Sequence, residues 1–239
     1  MKKVAMKKIE NRKSKIENVR AFSLIELLVV ISIIGVIAGF TLVVLKPVKA
    51  TQYKKVATAE MNHLETALEN YKAKYGAYPP GNQSSATATY APAQLNQLYY
   101  ELAGTTVSGA NFVTVDGSAA IPVASVATAY GVGGFVNCTK GGAEDGTVAQ
   151  NFLPGLSVKE IMGSVTNNGV ATTILVTSVG GPDTAYQPLN ASGINPFRYV
   201  YPGVNNPGGY DLWVQLVING QTNLICNWSR QVQINSPLP

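Results

Sequence analysis

Histidine occurs once in the 239 residues, at His63, and cysteine twice, at Cys138 and Cys226. One imidazole, without carboxylates or thiolates at ligand spacing, excludes a histidine-built metal centre. It also leaves a Ser/His/Asp triad no base but His63, and no GxSxG stretch precedes a helix. Charge is sparse: 18 Lys+Arg against 13 Asp+Glu, a formal net charge of +5. The excess is local, because residues 1–21 hold eight basic and two acidic residues, leaving ten basic and eleven acidic for the rest. Beyond residue 21 there is no basic stripe, which argues against nucleic acid as a partner. No Walker or dinucleotide fingerprint accompanies Gly131, Gly133, Gly134, Gly141 and Gly142, so these glycines read as turns rather than a phosphate cradle. Glu144-Asp145 sits in a Gly-rich stretch and reads as a solvated turn, not an acid/base couple. No enzyme constellation is expected.

What the chain does have is one long apolar run. Residues 22–44 read FSLIELLVVISIIGVIAGFTLVV, about 23 residues and enough to cross a bilayer as a helix. A single charge, Glu26, interrupts it. A carboxylate in hydrocarbon is costly and marks a functional position whose partner must be sought. An ordinary secretory signal would have a shorter apolar core followed by a small-residue cleavage site. The basic flank places the amino terminus in the cytoplasm and everything after Val44 outside it.

A basic leader ending in Arg20-Ala21, a Phe-x-x-x-Glu start and a Leu/Ile/Val-rich span together resemble the class III signal of type IV prepilins and type II secretion pseudopilins. The resemblance implies that a prepilin peptidase cuts between Ala21 and Phe22 and methylates the new Phe22 amine. Glu26 then becomes the fifth residue, and Gly35 falls where the family often has a small one. Ala21 departs from the glycine usual before the cut. In a filament the stems would bundle, each Glu26 meeting the Phe22 amine of a neighbour. A buried carboxylate with such a partner is far cheaper than one alone.

After the run, Pro47 predicts a kink in an otherwise continuous helix. Val56, Ala57, Met61, Leu64, Leu68, Tyr71 and Tyr75 recur at threes and fours and form one apolar stripe. Lys54, Lys55, Glu60, Glu65, Glu69 and Lys72 mostly take the other faces. Gly76 and Pro79-Pro80 stop the helix, which would extend about 80 Å from Phe22 to Tyr75. His63 falls among polar neighbours and reads as a solvated or head-packed side chain. Residues 81–93 read as a loop, and a short helix is predicted at about 94–103. Strands are predicted at 111–115, 121–126, 130–136 and 171–179, with a capped helix at 153–165 starting near Ser157 and Glu160.

The C-terminal segment predicts strands at 198–201, 210–218 and 223–228, the last two joined by a tight turn at Asn219-Gly220. Asn195-Pro196, Tyr199, Tyr201-Pro202-Gly203, Tyr210-Asp211-Leu212, Asn219-Gly220 and Asn227-Trp228 resemble, in that order, the end of the major pseudopilin of type II secretion. In that family this loop often holds calcium, which wants six to eight oxygens. Here Asp211 is present but Asn219 stands where an acid is expected, and no acid follows, so no cofactor is expected and calcium is disfavoured. Outside the cytoplasm Cys138 and Cys226 either pair as a disulfide or stay as two buried free thiols; their spacing does not decide.

The fold class implied is α+β and pilin-like: a long N-terminal helix, membrane stem plus amphipathic half, packed on an antiparallel β-sheet head. The expected divisions are a cytoplasmic leader 1–21, a transmembrane stem 22–45, an amphipathic half 46–76 and a periplasmic head 77–239 with an insertion at about 81–190. The function implied is a structural subunit of a type II secretion pseudopilus or related type IV pilus. Its partners would be like and unlike pseudopilins, the prepilin peptidase, an inner-membrane assembly platform and the bilayer. The chain would be a single-pass inner-membrane protein before joining a periplasmic or surface filament. The alternative from another class is a membrane-anchored periplasmic binding module that does not polymerise.

Overall fold

The computed structural model describes residues 22–82, 93–139, 148–153, 161–179 and 186–235, with the side chains of 41–47 outside that description. Helix α1 spans Leu24–Tyr75. By its internal contacts the chain divides into Met1–Lys46 and Pro47–Pro239, and α1 contributes to both units. In the first unit its side chains are exposed from Leu24 to Phe40. The one hydroxyl there, Ser32, donates back to the Leu28 carbonyl at 2.7 Å, so it places no unsatisfied donor on the apolar surface.

In the second unit α1 buries a stripe. Ala57, Met61, Leu64, Ala67, Leu68 and Tyr71 are all buried in one large core cluster, the spacing that a period of 3.6 places on one face. Gly76, at φ 80°, ends the helix, its N–H donating to the Lys72 carbonyl at 2.8 Å. A side chain would strain that left-handed turn. Glu60, expected on a solvent face, is instead buried. It accepts from the Thr177 hydroxyl at 2.6 Å and from both the N–H and the hydroxyl of Ser178. Donors on a distant loop satisfy the carboxylate where water would have done so.

Helix α2 is Leu98–Ala103, shorter than the expected 94–103 and buried along its whole length. Strands β1 (Thr105–Ser108), β2 (Asn111–Thr114), β3 (Ala120–Pro122) and β4 (Cys138–Thr139) form a sheet of order β3-β2-β1-β4. Its β1·β4 pair is parallel. Between β3 and β4 a short helix, α3 (Val126–Tyr130), stands where a strand was expected to end. Residues 131–137 are bends rather than the expected strand. Gly131 at φ 72° closes α3, its N–H bonded to the Ala127 carbonyl, and directs the chain away from an extended course.

Strands β5 (Met162–Asn167) and β6 (Val170–Leu175) form a separate hairpin. The helix expected at 153–165 falls largely outside the described residues; Ile161 is helical, and from Met162 the chain is strand. Strands β7 (Arg198–Val200), β8 (Asp211–Ile218), β9 (Gln221–Cys226) and β10 (Ser229–Ile234) form an antiparallel sheet of order β10-β9-β8-β7. On β8, Leu212, Val214 and Leu216 join the α1 stripe in the main core. Trp213 faces the other way and clusters with Leu224 and Cys226, the alternation of a pleated strand.

The pilin-like expectation of a long apolar helix on one antiparallel sheet is overturned. Among the described residues no helix is long and apolar enough to cross a membrane. The strands fall into three sheets, one with a parallel pair. The physical reason lies in residues 81–190. Read as an insertion, they supply α2, α3 and strands β1 to β6, and their Tyr99, Tyr100, Leu102, Tyr130 and Phe135 are part of the main core.

Candidate functional site

Phe22 and Glu26, the processing and assembly residues that the sequence singled out, lie just before and in the first turn of α1, and Ala21 lies outside the described residues. Phe22 is 80% exposed. Ser23 and Glu26 form a reciprocal cap. The Ser23 N–H and hydroxyl each donate to Glu26 Oε2 at 2.8 Å, and the Glu26 N–H donates to Ser23 Oγ at 3.3 Å. Two orphan donors of the helix start are thereby satisfied. The S-x-x-E spacing was the legible signal for this box; the sequence reading had given Glu26 only a partner on another chain. Beyond it Leu24, Ile25, Leu27, Leu28, Ile31 and Ile34 are all exposed. Gly35 and Gly39 lie four apart on this surface, and a Cβ added at either would meet nothing within 4 Å. That spacing lets another helix approach closely.

Cys138 and Cys226 are both free and both buried. Cys138 belongs to the main core and Cys226 to the cluster with Trp213 and Leu224. His63 is exposed on α1.

The calcium implied by the family resemblance does not fit the residues present. Asp211 and Asn219 bracket β8, one at its first residue and the other just past its last. At about 3.3 Å per residue they stand about 26 Å apart, too far to share an ion. Both Asp211 oxygens are also engaged. Oδ2 accepts from the N–H groups of Val204 and Asn205 at 2.8 Å each and from Asn205 Nδ2 at 3.0 Å, while Oδ1 accepts from the Asn206 N–H at 3.0 Å.

The sequence reading missed a second buried carboxylate. Glu101, on α2, is fully buried. It accepts from the Tyr71 hydroxyl and from the N–H groups of Val136 and Asn137, each at 2.9 Å. Asn137 in turn donates to the Glu101 and Gln150 carbonyls at 2.7 Å and accepts from the Tyr75 hydroxyl at 2.7 Å. This node ties the end of α1 to α2 and to the segments around β4. Burial pushes the Glu101 carboxyl above its ordinary range, against the pull of its three donors. No local spacing marks such a residue, because its partners come from two stretches far from it in the chain.

Two polar cavities flank α1. One of about 320 Å³ lies between Thr58, Met61, Asn62 and Glu65 and the β9–β10 turn with Arg230. The other, about 270 Å³, is lined by Glu65, Glu69, Tyr78, Asn206, Tyr210 and Asn227. Burial, with Glu69 nearby, raises the pKa of Glu65. The Tyr78 hydroxyl donates to Glu69 at 2.8 Å and accepts from Lys72 at 3.3 Å. The chain matches no protein-family profile, no curated protein and no solved structure.

Proposed function

We propose that this chain is a structural subunit of a type II secretion pseudopilus or a related type IV pilus. A prepilin peptidase cuts it between Ala21 and Phe22 and methylates Phe22, and subunits then associate through residues 22–45. The observation that supports this most is the exposure of the apolar side chains from Leu24 to Phe40, with one carboxylate, Glu26, at their start. Exposed apolar surface of this extent is unfavourable in water and calls for an outside partner. Lipid meets that need before assembly, with the chain held in the inner membrane, and neighbouring subunits meet it afterwards.

On this reading Glu26 sets register. Its carboxylate is held at the exposed helix start by Ser23. A neighbour placed one turn out of register leaves this carboxylate and the Phe22 amine unmatched, a larger penalty than the pair's own net gain.

The test begins with the intact mass of the protein from membranes of cells with and without an active prepilin peptidase. Loss of residues 1–21 and gain of one methyl group, only with the active peptidase, is the expected result; an uncut chain would overturn the reading. Glu26→Ala is then expected to be cut and inserted but to be depleted from sheared filaments by tenfold or more, about 1.4 kcal/mol or greater in assembly free energy.

A further inference from the structure

The loop between β7 and β8, residues 201–210, leads into Asp211, the one carboxylate on which the calcium expectation could draw. We infer that this loop is organised around a carboxylate instead of a cation, so that its order is independent of calcium. The inference concerns the loop alone and stands whether or not the chain assembles into filaments.

The polar groups of the loop point the wrong way for a cation. A calcium loop gathers six to eight oxygens around one centre. Here the centre is the Asp211 side chain, and what surrounds it are donors: three successive backbone N–H groups, from Val204, Asn205 and Asn206, and the Asn205 side-chain amide. Successive N–H groups converging on one point form a concave nest that suits an anion. Three of the loop's carbonyl oxygens are spent elsewhere. The Asn206 carbonyl accepts from Gly209 and the Gly209 carbonyl from Gly203, each at 2.9 Å. The Tyr210 carbonyl accepts from Asn206 Nδ2 at 3.1 Å and Asn227 Nδ2 at 2.9 Å. A cation brought to this centre would face N–H dipoles of the wrong sign.

The sequence supplies what the arrangement needs. A Cβ on Gly203 would come within 2.8 Å of Asp211 Oδ1 and 2.9 Å of the Asn206 carbonyl, so only glycine lets the chain close around the carboxylate. Asp211 is itself the first residue of β8, paired with Val200 across the sheet, so the anion sits on a fixed strand end. Its side chain therefore acts as a built-in ligand, and removing it turns the nest into a receptor for a small carboxylate.

The experiment uses the full chain in detergent micelles and reads its melting temperature. The native protein is expected to melt at the same temperature in calcium chloride and in a calcium chelator. Asp211→Ala is expected to melt several degrees lower, a scale set by the loss of four hydrogen bonds. Sodium formate is expected to restore most of that loss in a saturable way, with equal sodium chloride restoring less and the native protein not responding. A saturable rise of the native melting temperature with calcium would overturn the inference even if the variant fails to fold. So would an Asp211→Ala protein that folds and melts like the native one, or one that formate does not restore.

Discussion

At the scale of single residues, the polar interior concentrates its cost at Glu101. Glu101→Ala would strand the Tyr71 hydroxyl and the Val136 and Asn137 N–H groups in a dry site. At about 1–3 kcal/mol for each stranded group, the expected loss is at least ~3 kcal/mol, read from the midpoint of denaturant unfolding. The same carboxyl carries a pH signature. Its folded pKa lies above the ordinary 4.5 because burial disfavours the charge. The contribution to stability is therefore fully present below that value and is lost as the pH rises through the folded pKa. Glu101→Gln cannot titrate, so as the pH rises above the ordinary 4.5 its stability is expected to fall less steeply than that of the native protein. Asn219 offers a conformational test. It sits at φ 52° in the β8–β9 turn, where Asn219→Val is expected to cost about 1–2 kcal/mol and Asn219→Gly almost nothing, in the same unfolding assay.

At the scale of elements, legibility followed periodicity. The α1 stripe was readable because Ala57, Met61, Leu64, Leu68 and Tyr71 share one face, and β8 because Leu212, Val214 and Leu216 alternate with Trp213 and Gln215. A contrast of two substitutions checks the stripe: Leu68→Ala, at a fully buried position, is expected to cost about 2–5 kcal/mol. Thr66→Ala, on the exposed face of the same helix, is expected to stay within about 0.5 kcal/mol. What local pattern does not record was lost. Glu60 looks like any surface acid until Thr177 and Ser178 arrive from far along the chain. Strands β1 and β10 are short or largely exposed, with little apolar alternation to mark them. The same limit applied to candidate functional residues. Phe22 and Glu26 could be named from a motif, whereas the donors around Asp211 could not, since backbone N–H groups leave no trace in residue identity.

At the scale of the whole molecule, the main core begins at Ala57, with Ala50 and Tyr53 packed at its margin. No described residue before Pro47 belongs to it. Deleting residues 1–46 is therefore expected to leave the denaturant midpoint of the remaining chain unchanged within about 0.5 kcal/mol, although it removes every residue proposed to mediate assembly. The stripe on α1 is covered by strands from the opposite end of the chain, since Leu212, Val214, Leu216 and Ile225 lie in its cluster. Synthesis runs from the amino terminus at roughly 5–20 residues per second, so the helix emerges well before those strands, by on the order of ten seconds. During that interval its apolar face has no native cover from β8 and β9. A nascent chain cut short by a premature stop codon before Gln221 never acquires β9, and such truncated products are the ones that holding chaperones and quality-control proteases would meet with the stripe still bare.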